Sequence, residues 1–246
     1  MDSHGIDKAV VLPLESPEVG WAPVPTWEVL RSCQAHPDRL IPFCVVDPRA
    51  TRMHKASAMQ HIRPYVEAGC KGFGEHIVGL PVDDPRSMEI YVACGELGLP
   101  VLFDFNRDFN TDEPGLPNFE KVVQQCPTTL FIGHGPAWWN NISAEVSLEV
   151  GYPEGKVVPG GAVPRLLGKY ENVFADLSAR SGYNALARDL GHARSFLHRY
   201  SRKLLFGTDL LTRGQELPIV DLLRNLGLAS EDWEDISHLN AERLLR

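Results

Sequence analysis

Four apolar runs in this chain stop abruptly on an acid or a histidine. CKGFGEH ends on Glu75 and His76, VLFDF carries Asp104, LFIGHG ends on His134 and a glycine, and KLLFGTD ends on Asp209. A polar group at the end of a strand buried on both faces is costly and needs a reason. Carboxylates and imidazoles are the side chains that bind metal ions and move protons. Converging on one axis, these ends would make a metal or acid–base site.

Ends of this kind suit the C-terminal face of a parallel barrel, where the active face of such folds lies. Strand patterns fall at 8–14, 40–47, 70–77, 101–106, 129–135, 173–179 and 203–209, with helical stretches between them. Most successive starts are roughly 30 residues apart, the repeat of a βα unit. The alternation predicts an α/β fold of the (β/α)8 TIM-barrel type. Seven strands are one short of a closed set. The missing one should be the first, because MDSHGIDK reads as the tail of a helix directly before a strand.

Helix signals fill the gaps. Thr26 is placed to cap 27–36, which Pro37 ends. Asp84 and Pro85 open a helix through Leu97, with Met88, Tyr91, Val92 and Leu97 as its inward stripe. Further helices are expected at 117–125, 183–200 and 240–245. The connections 106–115 and 135–162 are long, and both follow strands that end in site candidates. Such loops are often lids or binding loops. No linker, repeat or low-complexity segment divides the chain, so residues 1–246 read as one domain.

The 246 residues are 43% hydrophobic and carry a formal net charge of -8. No basic cluster offsets that balance, which argues against nucleic acid and anionic membrane as partners; it says little about a small-molecule substrate, because a local site can differ from the average. The five cysteines form an odd, widely spread set without a CxxC pair. Free, buried thiols in a reducing compartment are expected. The first residues lack the apolar core of a signal peptide, and no run approaches a membrane span. A cytoplasmic protein is the expectation.

The segments GIDKAVVLPLESPE, HPDRLIPFCVVDPR, GCKGFGEH, DEPGLP, FIGHGPAWW, DLSARSGYNALARD, LLFGTD and NAERLL follow one another through nearly the whole chain. Together they resemble the amidohydrolase-related (amidohydrolase 2) family of the metal-dependent amidohydrolase superfamily. No one motif is decisive; their order and content carry the likeness. The resemblance implies a TIM barrel with a divalent metal at its C-terminal face. The family pattern is His-x-His on strand one, Lys or Glu on strand four, His on strands five and six, and Asp on strand eight. By position, Glu75 falls on strand four, His134 on strand six and Asp209 on strand eight.

Two departures stand out. Asp104 holds the strand-five histidine position, and His-x-His is missing from the sequence. His4 does not replace it, since DSHG lies where the family has the helix after strand one. Met1 falls at an internal methionine of the pattern, so a start assigned downstream of the true one, or a truncation, is the expectation ahead of a lost half-site. The resemblance implies Glu75, His134 and Asp209 as metal ligands and zinc as the metal, and Asp104 is either a fourth metal ligand in place of the imidazole or a mutated, dead position. An oxygen ligand at Asp104 would shift the preference towards manganese or magnesium.

Further roles follow from the residues. The resemblance makes Asp209 the general base towards the attacking water as well as a ligand. His134, between two glycines, either ligates the metal and polarises a carbonyl or is satisfied within a turn. Glu75 and His76 point to opposite faces of a strand, and the family pattern favours Glu75 as the inward one. Trp138 and Trp139 either stack on a planar substrate or pack a lid. Arg180 and Arg188 offer bidentate forks for a substrate carboxylate, Arg188 equally a surface position on a helix. Asp176, in FADLS, reads better as a helix cap than as an orienting group.

The leading activity is metal-dependent hydrolysis of a small carbonyl compound, carboxylated or not, by metal-activated water. Non-oxidative decarboxylation is the alternative within the superfamily. A catalytically degenerate barrel acting as a binding or partner subunit is the alternative outside enzymes. The unpaired edges of the first and last strands predict a homo-oligomer.

Overall fold

Each expected strand forms, shorter than its apolar run. The computed structural model describes residues 1–53, 57–147 and 149–245. β1 (Ala9–Val11) pairs in parallel with β2 (Leu40–Pro42). β3 (Phe73–His76), β4 (Val101–Asp104), β5 (Phe131–His134), β6 (Val173–Asp176) and β7 (Leu204–Leu205) form a second parallel sheet in chain order. A parallel bridge between Cys44 and Phe73 joins the two sheets. The result is a partial (β/α)8 barrel with the strands in sequence order.

The helices are α1 (Thr26–Ala35), α2 (Pro48–Met53), α3 (Ala58–Glu67), α4 (Pro85–Leu97), α5 (Pro117–Gln125), α6 (Pro136–Asn140), α7 (Ala162–Lys169), α8 (Ala179–Ala187), α9 (Leu190–Tyr200), α10 (Pro218–Asn225), α11 (Ser230–Glu234) and α12 (Asn240–Leu244). α4 opens as expected: the Asp84 carboxylate accepts the Arg86 backbone N–H at 2.9 Å, and Pro85 has no N–H to lose. Its inward face is Ser87, Ile90, Tyr91 and Cys94, however, while Val92 is 45% exposed. The buried positions recur every three to four residues from Tyr91, and that spacing turns Val92 outward.

Two other helix expectations are corrected. Thr26 is the first residue of α1 rather than its cap: its N–H and hydroxyl both go to the Glu15 carboxylate, at 2.9 and 2.6 Å. The stretch 183–200 is two helices. Asp189 interrupts it by accepting the His192 backbone N–H at 3.1 Å, which caps α9.

Behind β4 and β5 lies an aromatic layer. Phe105 and Phe119 meet with ring centroids 5.1 Å apart, and Phe119 meets Trp138 edge-on at 5.7 Å. This packing fixes the strand ends from outside the barrel. At the seam, no hydrogen-bonded ladder joins β7 to β1 among the described residues. Side chains bridge it instead: Ala241 and Leu244 of α12 pack in one cluster with Leu205 of β7 and Leu12 just past β1. Arg224 of α10 also donates to the His4 carbonyl at 2.6 Å. All five cysteines are free and buried. Among the described residues no helix is long and apolar enough to cross a membrane.

Candidate active site

Parallel register places the ends of adjacent strands side by side, and Asp104 of β4 stands opposite His134 of β5. His134 is buried, hydrogen-bonded at Nδ1 and facing a carboxylate at Nε2. Nδ1 lies 2.9 Å from Asp176 Oδ2 at the end of β6, and Nε2 lies 3.7 Å from Glu75 Oε1 on β3. Ser178 completes the hold, with its hydroxyl donating to the same Asp176 oxygen and lying 3.3 Å from His134 Nδ1. Asp176 also anchors the neighbouring indole: Trp139 Nε1–H donates to its carbonyl at 3.0 Å. Asp209 follows β7, half-buried with φ 52°, and its charge acts on both His134 and Glu75.

The protonation of this cluster follows from burial and neighbours together. Burial raises the carboxyl pKa of Glu75, to about 8, against the pull of His134, and the charges of Asp104, Asp209 and Asp176 raise it further. Asp104 and Asp209 are also raised, first by burial, with His134 opposing. Burial pulls His134 down, but its hydrogen bond to Asp176 and the charges of Glu75, Asp176 and Asp104 outweigh that and hold it near 10. At neutral pH the imidazole carries its proton, and the pocket tolerates fewer negative charges than it has acids.

The two glycines beside His134 are required by the protein itself. A Cβ at Gly133 would overlap the Trp138 ring, and one at Gly135 would overlap Asp104 Oδ1. Gly135 also has φ 93°, a backbone state that L side chains rarely adopt.

The structure thus brings Glu75, Asp104, His134 and Asp209 into one electrostatic cluster, but not into a metal cage. Asp104 Oδ1 is buried without a partner, as a ligand oxygen would be. The His134 Nδ1–Asp176 contact is the arrangement that orients a ligating imidazole. Yet among the described residues no three His, Cys, Asp or Glu side chains are disposed to hold an ion. The donors present therefore do not fit a complete metal site.

The expected substrate contacts fare differently. Trp138 and Trp139 are 0% and 2% exposed within α6 and offer no ring face to a ligand. They belong to the core, because the glycine at 133 lets Trp138 lie flush on β5. Arg180 is exposed and lies over the Tyr152 ring at 4.6 Å. Arg188, at the far end of α8, has only Asp189 as a charged neighbour shaping its pKa, so it stands apart from the cluster. Asp176 and Ser178 are the residues the sequence reading undervalued. VFAD has the same apolar-run-to-acid shape as the four runs that were singled out.

A barrel with an acid–histidine cluster at the C-terminal ends of its strands is the architecture of the amidohydrolase superfamily. The family model described as Amidohydrolase matches residues 22–246, and the chain belongs to that family. No curated protein matches the sequence. Among solved structures, a TIM-barrel protein from Bordetella bronchiseptica is 20% identical with a TM-score of 0.69, over 100% of this chain and 79% of that one. A putative 2-pyrone-4,6-dicarboxylic acid hydrolase from Pseudomonas putida is 15% identical with a TM-score of 0.65, over 99% and 84%. The 5-carboxyvanillate decarboxylase of Novosphingobium aromaticivorans, complexed with manganese and 4-hydroxy-3-methoxy-5-nitrobenzoic acid, is 16% identical with a TM-score of 0.64, over 100% and 78%. At these identities the likeness shows the fold.

Proposed function

We propose that the chain hydrolyses a small carbonyl compound, carboxylated or not, by acid–base chemistry at the His134 pocket. The observation behind this reading is one buried imidazole set between Glu75 and Asp176, with Asp104 on the adjacent strand and Asp209 acting on it, at strand ends. Asp176 orients the ring through Nδ1 and stabilises its positive charge. His134 Nε2–H then polarises the substrate carbonyl and steadies the oxyanion as it forms. Asp209, its proton affinity raised by burial, takes the proton of the attacking water. Glu75, kept protonated by its surroundings, is a second proton donor. Arg180, exposed in the first turn of α8 two residues past Ser178, is the available partner for a substrate carboxylate.

A divalent ion belongs to this reading as a proposal: zinc by the family pattern, with manganese or magnesium suited to the Asp104 oxygen. Manganese in the decarboxylase structure supports it. Because the described donors do not converge, no step is assigned to the ion. Decarboxylation is the second reading. It is favoured by the pairing of His134 with a protonated Glu75, which could deliver a proton to the carbanion left when carbon dioxide departs. The protein is expected to be a cytoplasmic homo-oligomer with no nucleic-acid or membrane partner. A clean monomer in light scattering at high concentration counts against the oligomer.

The test is turnover on lactones, amides and aromatic carboxylates, with and without added zinc or manganese, reading product and released carbon dioxide. Hydrolytic product that disappears in His134→Asn and Asp209→Asn is expected. Carbon dioxide selects the second reading. No turnover on any class under any metal condition sinks both and leaves a barrel that binds without catalysing.

A further inference from the structure

Arg188 lies at the junction of α8 and α9, and one edge of its guanidinium has no acceptor. Its Nε and Nη2 are both buried and neither has a hydrogen-bond partner among the described residues. Those two N–H groups form the side-on fork that takes the two oxygens of a carboxylate in parallel bonds. In Arg86 and Arg49 the same edge is filled. Arg86 gives Nε and Nη2 to the two oxygens of Asp84, each at 2.8 Å. Arg49 is shared between Glu18 and Asp47. Past the break at Asp189, in the first turn of α9, His192 Nε2 is also buried without a partner among the described residues. Burial lowers the pKa of both groups, and the Arg188 charge lowers His192 further against Asp189.

A carboxylate lies next door and is spent elsewhere. Asp189 Oδ1 accepts the His192 backbone N–H at 3.1 Å, and Oδ2 accepts that of Val157 at 3.3 Å. The chain has 32 acidic residues against 24 basic ones, yet among the described residues none covers this fork. A buried donor pair left this way is expensive unless something outside the chain supplies the acceptor. Nor does the pair belong to the His134 pocket. Trp139, bound to the Asp176 carbonyl, meets Phe196 at 6.2 Å, and Phe196 stacks on His192 at 5.9 Å. Two aromatic rings therefore stand between His192 and Asp176.

We propose that Arg188 and His192 form a second binding site, for a small organic carboxylate. The Arg188 fork takes its two oxygens, and neutral His192 donates a third bond from Nε2. The fork is closed to solvent, so the ligand enters as the chain over this corner gives way. Residues 152–157 are held there weakly. Asn184 Nδ2 reaches the Pro153 carbonyl at 3.3 Å, the Val157 N–H reaches Asp189 at 3.3 Å, and Arg180 lies over the Tyr152 ring at 4.6 Å.

Thermal unfolding in sodium succinate, with ionic strength held constant by sodium chloride, tests the site. A rise in melting temperature that saturates with succinate is expected, together with faster amide exchange at Val157. Arg188→Gln removes the rise. Arg188→Lys, which keeps the charge and loses the fork, binds at least about tenfold more weakly. His134→Asn leaves the rise intact, which separates this site from the proposed active site. The proposal is overturned by no rise in the wild type, by an equal rise in Arg188→Gln, or by a rise lost only in His134→Asn. Should Arg188→Gln not fold, wild-type affinity in Arg188→Lys overturns it equally.

Discussion

His76 and His134 are almost equally buried, 2% and 5% exposed, and are driven in opposite directions. His76 sits between β3 and α4 in a box of Phe73, Tyr91 and Phe103, with ring centroids 5.5, 5.9 and 5.9 Å away. Its Nε2 has no partner, and burial pulls its pKa down to about 4. His134 feels the same loss of water but has Asp176 at 2.9 Å and Glu75 at 3.7 Å, and its pKa rises to about 10. Around His76 the rings exclude water, and the charges of Asp47 and Glu18 are set against that of Arg49; around His134 the carboxylates outweigh the loss of water. Burial alone therefore does not mark the chemical face of this barrel. The charge opposite the buried group does.

The comparison breaks most visibly at Asp176. Asp176→Asn would leave His134 with a neutral partner and move it towards the condition of His76. Activity should fall roughly 100-fold or more, since the imidazolium loses both its orientation and its counter-charge. Proton NMR of the ring should show its titration point falling from near 10 towards the ordinary histidine range. Full activity, or an unmoved titration, would mean that Asp176 does not set the state of His134.

Asp176 also shows where the sequence was and was not legible. The strands were readable because each is a short apolar run bounded by turn residues. Glu75, His134 and Asp209 were readable because such runs end on them. Asp176 ends VFAD in the same way, but the following LSAR favoured a cap. The orienting reading is the one the contacts bear out: Oδ2 holds His134, while the N-cap of α8 is Ser178, whose backbone N–H Asp176 Oδ1 accepts at 3.1 Å. Trp138 and Trp139 were opaque for another reason. Whether they face a substrate or the core depends on a glycine surface of β5 and on Phe119 of α5, contacts that the local pattern does not encode.

Glu75→Gln sharpens the comparison from the acid side, with stability as the readout. The folded-state pKa of Glu75, about 8, lies above its ordinary 4.5, so its contribution to stability is full below 4.5 and is lost as pH rises through 8. The variant escapes that loss. Its melting temperature, measured with a chelator present, should gain on the wild type as pH rises across this window and level off above it. The final difference should be on the order of 10 °C. A constant offset at all pH values would show that Glu75 is no more burdened by its site than an exposed acid.

The smallest effect is expected at His76, and there the pH slope has the opposite sign. Its folded-state pKa of about 4 is below the ordinary 6.5, so its contribution is present above 6.5 and is lost as pH falls through 4. His76→Phe substitutes a ring of similar shape into a box of aromatic rings and removes a nitrogen with no partner. At pH 8 the variant should unfold within about 1.5 kcal/mol of the wild type. Near pH 5 it should outlast it, because only the wild type must hold an imidazole neutral against the acid. Denaturant melts at the two pH values read both quantities. A loss of about 3 kcal/mol or more at pH 8 would mean that Nε2 makes a bond worth keeping. His76 would then be a second polar anchor of the β3 end beside Glu75, rather than its apolar counterpart.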